Sequence, residues 1–207
     1  MAVPLTMFDS VDVTEIPMDA KAVAGYVNGK WPTYWTLVTQ FPHAEKVSIA
    51  VTADRDADCL DVERGDATPD EAPGWVKRQI ARGVQRPIVY ASVSRAPELL
   101  VILRLHGITR SKIRLWTAHY THEHLCDYRC GLLKRADATQ WTDRALGRNL
   151  DASLVGPTFF PSPKPVDKVA LRHRLRAWVR RQRRAGATWA ALKRAARWKL
   201  WRRLGGR

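Results

Sequence analysis

Apolar residues along the chain fall into short runs separated by longer segments with a helical period. Eight runs read as strands: Leu5–Val11, Ala22–Val27, Val47–Val51, Cys59–Val62, Arg86–Ser92, Ile113–His119, Ala136–Gln140 and Leu150–Leu154. Several are continuously apolar, as strands covered on both faces require. Between them Thr33–Phe41, Pro69–Gly83 and Ser94–Gly107 read as helices. The second carries Thr68 at the N-cap, Pro69 at the first helical position, Asp70 and Glu71 in the first turn, and Gly83 at its end. The third closes at Gly107 after Leu99, Leu100, Ile102, Leu103 and Leu105. Strands alternating with helices predict a mostly parallel sheet. Eight strands in about 155 residues predict an α/β fold, a small distorted (β/α)8 TIM-like barrel with some helices trimmed to loops. A doubly wound open sheet is the competing arrangement.

The pattern then changes. Pro157, Pro161, Pro163 and Pro165 read as a stiff, extended linker. Two basic segments follow, Val166–Arg184 and Thr188–Leu204, split by Ala185-Gly186-Ala187. On helical spacing Leu171, Leu175, Trp178 and Val179 share one face of the first, and Trp189, Leu192, Ala196 and Leu200 form a stripe on the second. The expected division is a barrel at 1–158, a Pro-rich linker at 159–165 and a cationic Arg/Trp-rich helical tail at 166–207.

Charge sharpens that division. The 207 residues carry 35 Lys+Arg against 20 Asp+Glu, and a net charge of +15 by itself points to nucleic acid or a membrane surface. Residues 161–207 hold 16 of the basic residues and one acid, Asp167, whereas residues 1–160 hold 19 of each sign. The excess therefore belongs to the tail, and the body is electrically balanced. Tryptophan among arginines suits an anionic polymer or lipid at a bacterial envelope. Nucleic acid would meet the same charge pattern, and a basic extension that aids solubility is the plain alternative. No apolar stretch reaches the roughly 18 residues of a membrane span. The start, Met1 to Asp9, has neither a basic n-region nor a long apolar h-region, so no Sec signal is expected.

In a parallel barrel, chemistry lies at the C-terminal ends of the strands. Acids stand at three candidate ends: Asp9 in Met7-Phe8-Asp9-Ser10-Val11-Asp12, Asp61 and Glu63 in Leu60-Asp61-Val62-Glu63, and Asp151 in Leu150-Asp151-Ala152-Ser153. Residues i and i+2 of a strand face the same way, with Cα atoms about 6–7 Å apart. Two carboxyls that close resist ionising together, so one pKa rises. A carboxylic acid still protonated at neutral pH is what a glycosidic leaving oxygen needs. The plain alternative is a set of solvated loop acids, because Asp54, Asp56, Asp58 and Asp66 stand nearby. No EF-hand spacing, phosphate-cradling glycine loop or Gly-x-Ser-x-Gly elbow is present.

Other groups have quieter expectations. His119, His122, His124, Cys126 and Cys130 cluster within twelve residues and admit a zinc site, a local Cys126–Cys130 disulfide or free thiols. Cys-x3-Cys lacks a matching second pair, so no metal and no cofactor are expected. Cys59 reads as a buried strand residue, and Trp31, Trp35 and Trp75 as packing.

Taken in order, these segments resemble the glycoside hydrolase family 25 lysozymes, the muramidases of phages and bacteria. More closely, they are similar to the divergent glycoside-hydrolase-like proteins of actinobacteria and their phages. The resemblance covers roughly residues 5–155 and is carried by several short pieces. Phe8-Asp9-Ser10-Val11-Asp12 and Leu60-Asp61-Val62-Glu63 match its first and fourth strands. Pro87-Ile88-Val89-Tyr90-Ala91-Ser92 and Leu115-Trp116-Thr117-Ala118-His119-Tyr120-Thr121 match its fifth strand and its Trp-x-Ala-x-Tyr strand. Gln140-Trp141-Thr142 and Leu150-Asp151-Ala152-Ser153 match its closing strands. The resemblance implies a distorted barrel that hydrolyses the β-1,4 bond between N-acetylmuramic acid and N-acetylglucosamine in peptidoglycan. It implies Glu63 as general acid and then base, and Asp61 as the group that orients the substrate's own 2-acetamido nucleophile. Asp9 and Asp151, rather than Asp143, would line the same pocket, and Tyr90, Trp116, Tyr120 and Trp141 would bind sugar. The implied setting is phage-type. Synthesis in the cytoplasm would be followed by action at the cell wall after release, or by packaging in a virion, with the tail on anionic envelope polymer or lipid. The competing expectations are a non-catalytic glycan-binding or virion tail-associated structural protein on the same barrel, and nucleic-acid binding through the tail.

Overall fold

A computed structural model of the chain describes residues 5–121 and 136–160. The basic tail, the linker beyond residue 160, and His122, His124, Cys126 and Cys130 lie outside the described residues. Eight strands close into a barrel: β1 Leu5–Asp9, β2 Ala22–Tyr26, β3 Glu45–Ala50, β4 Cys59–Asp61, β5 Ile88–Ser92, β6 Arg114–Ala118, β7 Ala138–Thr142 and β8 Asp151–Val155. Three helices lie among them, α1 Tyr34–Gln40, α2 Ala72–Ala81 and α3 Ala96–Leu105. Every strand and helix expected before residue 158 is present, the sheet closes instead of remaining open, and the helices expected in the tail lie outside the described residues. Among the described residues, no helix is long and apolar enough to cross a membrane.

Strands β1 to β7 pair in parallel and in sequence order, while β8 is antiparallel to both neighbours. The reversal follows from chain length. Residues 143–150 are too few for the crossover of a dozen or more residues that a parallel return requires, so β8 folds back along β7 as a hairpin. The link from β3 to β4 is equally short, yet β4 stays parallel because Cys59 starts opposite Ile49, near the end of β3. The chain there has almost no distance to return.

Alternation along each strand separates an inner from an outer core. Met7, Ala22, Ala24, Val47, Ile49, Cys59, Ile88, Tyr90, Trp116, Ala138 and Val155 fill the barrel. Alanines opposite the bulky Trp116 and Phe159 suit an eight-stranded barrel, whose interior is just wide enough for side chains. Phe159 is fully buried in this cluster. Outside, α2 and α3 bury Trp75, Val76, Leu99 and Leu103 against Leu60, Val89 and Leu115. The Trp75 indole N–H donates to the Arg55 carbonyl at 2.8 Å, which satisfies its polar edge. Leu37 of α1 packs with Val23, Phe41 and Leu150. Gly25 permits that approach, because a Cβ there would overlap Leu37 Cδ1.

Helix α2 starts later than its capping signals suggest. Thr68 N–H and Oγ1–H both donate to Glu71 Oε2 at 2.8 Å, closing a separate turn ahead of the helix. Pro73 is the reason. A helix begun at Pro69 would place Pro73 in its interior, missing an N–H and clashing with the carbonyl of residue 69. Starting at Ala72 puts Pro73 in the first turn, where it is tolerated.

Candidate active site

The C-terminal ends of the parallel strands form the mouth of the barrel. A cavity of about 70 Å³ opens there, lined by Asp9, Tyr26, Ile49, Asp61, Glu63, Tyr90, Trp116, Tyr120, Gln140 and Asp151. Asp9 and Asp61 are the last residues of β1 and β4. Glu63 lies two residues beyond Asp61, still tied to the sheet by the Val62 N–H to the Tyr90 carbonyl at 2.9 Å. The cavity is well below the ~300 Å³ at which ligand pockets commonly begin, so the described residues form the floor and inner walls of a site.

Asp151 reaches the mouth for a reason unlike the others. It is the first residue of β8, and in a parallel strand it would sit at the opposite end of the barrel. Because β8 runs backwards, Asp151 stands directly across from Asp9 in the β1–β8 register. The strand-end rule that nominated it holds for Asp9 and Asp61 and is corrected here: strand reversal brings Asp151 to the site.

Among the described residues, four carboxyls thus share one cavity and no lysine or arginine lines it. Asp9 and Asp61 are almost fully buried, and each keeps one oxygen, Oδ1, without a hydrogen-bond partner. Burial pushes Asp9 well above the usual carboxylate range, helped by the charge and hydrogen bond of Asp151 and the charge of Asp61. Burial also raises Asp61 strongly, with the charges of Glu63, Asp66 and Asp151 adding to it. Asp151 is pushed up to about 6, mainly by burial, while hydrogen bonds from Asp9 and Gln140 hold it down. Glu63 is half-buried and raised by burial and then by Asp66 and Asp151; the Arg95 charge opposes this without cancelling it. These are the two causes that favour a neutral carboxylic acid, desolvation and like charge.

Aromatic and amide groups complete the walls. Tyr90 Oη donates to Gln140 Oε1 at 2.8 Å, and Gln140 Nε2 donates to Tyr120 Oη at 3.1 Å. Tyr90 packs edge-on against Trp116 with centroids 4.9 Å apart, and the Trp116 indole donates to Ser153 Oγ at 3.0 Å. Burial raises the Tyr26 hydroxyl far above its ordinary value and pushes that of Tyr120 up to about 12.

Seven of the eight expected site residues therefore meet in one cavity: Asp9, Asp61, Glu63, Tyr90, Trp116, Tyr120 and Asp151. Trp141 does not join them. Gln140 pairs with Ser153 and Thr142 with Ala152, which leaves Trp141 as the extra residue of a β-bulge. Its ring packs outside the barrel with the cluster around Leu37, Phe41 and Leu150. Tyr26, Ile49 and Gln140 are site residues that motif reasoning passed over. Alternation would have found them, since each continues the inward series of its strand: Ala22, Ala24, Tyr26; Val47, Ile49; Ala138, Gln140.

The neighbouring acids divide cleanly. Asp58 accepts from Ser48 N–H and Oγ–H at 2.9 and 2.6 Å, and Asp56 pairs with Arg78 and Arg82 at 3.1 Å. Those acids are structural or solvated, unlike Asp61 and Glu63. Trp75 and Cys59 are buried as expected, whereas Trp31 and Trp35, also read as packing, are exposed. Among the described residues, no group of three His, Cys, Asp or Glu is placed to hold a metal ion. A larger groove of about 870 Å³ runs along α3 between Pro97, Leu100, Val101 and Ile108, but it contains no carboxylate. No family model, curated protein or solved structure matches the chain.

Proposed function

We propose that the protein is a lysozyme-type glycoside hydrolase, a muramidase on a distorted TIM-like (β/α)8 barrel similar to the glycoside hydrolase family 25 enzymes. The observation that carries this proposal is the meeting of Asp9, Asp61, Glu63 and Asp151 in one cavity that no cation lines among the described residues. Such a pocket keeps a carboxylic acid protonated near neutral pH, which is the property glycosidic cleavage needs.

In the proposed reaction Glu63, the most accessible of the raised acids that line the cavity, gives its proton to the glycosidic oxygen as the bond from that oxygen to the anomeric carbon breaks. The carbonyl oxygen of the substrate's 2-acetamido group forms the new bond to the anomeric carbon, while the Asp61 carboxyl accepts the acetamido N–H. Water then attacks the same carbon, loses its proton to the Glu63 carboxylate and releases the acetamido group. The separation of two carboxylates that distinguishes ordinary retaining from inverting enzymes does not apply to this substrate-assisted route. The proposal extends to the sequence beyond the barrel, whose 16 basic residues against one acid suit anionic envelope polymer or lipid.

Incubation of the full chain with purified actinobacterial peptidoglycan, followed by an assay for new reducing ends, tests the central claim. Release by the wild type and its loss in Glu63→Gln is the expected result. No release by the wild type, or equal release by the variant, overturns it. Sedimentation with cell-wall material without cleavage would instead identify a glycan-binding protein.

A further inference from the structure

Of the five tryptophans among the described residues, Trp75 and Trp116 are buried and Trp141 is half-buried, but Trp31 is 52% exposed and Trp35 is 70% exposed. A single exposed apolar residue is ordinary. These two stand two residues either side of Thr33, and the chain between them is built into the mouth of the barrel. Thr33 is buried, and its Oγ1 accepts the N–H of the cavity-lining Tyr26 at 3.2 Å. Gly25 lets this segment come close, since a Cβ there would stand 3.0 Å from Thr33 Oγ1 and 3.2 Å from Tyr34 Cα.

The loop leading from β2 to Trp31 is pinned to the neighbouring strand. The Val27 N–H donates to the Ile49 carbonyl at 2.8 Å, Asn28 Oδ1 accepts the Val51 N–H at 3.0 Å, and Asn28 Nδ2 donates to Thr52 Oγ1 at 2.8 Å. Gly29 turns the chain at φ 85°, a conformation that favours glycine. Pro32 fixes its own φ and biases Trp31 towards extended backbone. The rings are steadied as well. Lys30 Nζ lies 5.0 Å from the centre of the Trp31 ring, and Tyr34 meets Trp35 edge-on with centroids 5.3 Å apart. A constrained segment that holds two large rings in water is preorganised to bind something.

The position and chemistry of the segment indicate what. β2 ends in the cavity at Tyr26, so the segment that follows forms part of the rim. A cavity of about 70 Å³ holds only a fraction of a ligand, and the rest of a polymer must lie across that rim. The negative face of an indole suits the C–H face of a pyranose ring. Lys30 sets a positive charge against Trp31, and the chain between Asp19 and Glu45 contains no acid, which favours sugars that carry carboxylates.

We propose that Trp31 and Trp35 form a sugar-stacking subsite on the rim of the mouth, which holds a stretch of acidic glycan strand outside the cavity. The subsite rests on the reading of the cavity as a glycan site, but not on the cavity's ability to cut.

Indole N–H NMR of full-length Glu63→Gln, with the two signals assigned through Trp31→Phe and Trp35→Phe, tests binding without cleavage. Amidase-released peptidoglycan strands, whose lactyl carboxylates are free, should shift both signals at a concentration where the single disaccharide moves neither. Signals that stay in place with the strands, or respond equally to the disaccharide, overturn the proposal. So does a response confined to anionic phospholipid vesicles or to raised protein concentration, which would make the two rings a membrane or self-association surface. In the double variant Trp31→Ala/Trp35→Ala, KM for the strands should rise about tenfold with kcat unchanged, because the rings bind ground and transition states alike. An unchanged KM also overturns it. Cleavage by the wild type with unmoved indoles removes the subsite and leaves the hydrolase reading. Moved indoles in a protein that never cleaves glycan would do the reverse.

Discussion

At the floor of the barrel Asp137 meets Arg86 Nη2 at 3.0 Å and Arg110 Nη2 at 2.5 Å and accepts the Leu115 N–H at 2.8 Å, whereas at the mouth four carboxyls share a cavity that, among the described residues, no lysine or arginine lines. The two arginines also tie Asp137 to the Ile113 carbonyl, which both of them reach. This end joins β5, β6 and β7 and has its charges paired. The mouth does the reverse: it buries Asp9 and Asp61 with an unpartnered oxygen each. Paired charge at the N-terminal end of a barrel supports the fold, and unpaired charge at the C-terminal end is available for chemistry. The same residue type is therefore ion-paired at one end and pushed towards its neutral form at the other.

The largest expected break in this contrast is Asp61→Asn. It keeps the shape of the mouth but removes a carboxylate from the proposed reacting centre, so the rate of peptidoglycan cleavage should fall about 100-fold or more, with the melting temperature unchanged or higher. Loss of stability without loss of rate would move Asp61 to the structural class.

Next is Asp137→Ala, which should cost about 2–3 kcal/mol by leaving two arginines and a backbone N–H without their acceptor. Urea or thermal unfolding should show it as a drop of roughly 5–10 °C for a barrel of this size. An unchanged melting temperature would mean that the floor cluster is only a surface ion pair.

The mouth should lose stability as pH rises. Asp9, Asp61 and Asp151 have folded pKa values above those of the unfolded chain, so between the two values the folded state holds more protons. Stability contributed by the mouth is therefore greatest below the unfolded carboxylate pKa and declines as pH rises, through about 6 for Asp151. Asp9→Asn should flatten that decline and raise the melting temperature at neutral pH by a few degrees, of the order of 1 kcal/mol. A melting temperature that rises between pH 4 and 7 in the wild type, and does so equally in Asp9→Asn, would contradict the electrostatic account.

The smallest effect is expected from Asp66→Asn. Asp66 is the first charge, after burial itself, that raises Glu63. In the proposed reaction Glu63 acts while protonated, so the rate should fall as pH climbs through its pKa, and removing the Asp66 charge should shift that alkaline limb to lower pH by several tenths of a unit. A limb that stays fixed would assign the proton to another group.

Much of the fold is legible in the order of residues. All eight strands lie within a few residues of the apolar runs that mark them, because burial on both faces leaves a dense apolar signature. Asp61 and Glu63 are legible too, since two residues of spacing place both on the inward side of β4. Helix α2 is legible in position but not in its start, where the missing N–H of Pro73 outweighs the capping signal at Thr68. Tyr26 and Gln140 went unread because an inward side chain becomes part of a site only when the barrel closes and other strands stand opposite it.

The sequence by itself determined which segments become strands, where the unusual acids stand and that the excess positive charge lies beyond the barrel. These follow from local periodicity, spacing and composition. Tertiary structure decided the rest: the backward run of β8 that sets Asp151 against Asp9, the bulge that sends Trp141 outward while Gln140 faces in, and the difference between Asp137 and the acids of the mouth. Each of these depends on which groups distant strands bring within hydrogen-bond and Coulomb range, and that proximity exists only in the closed barrel.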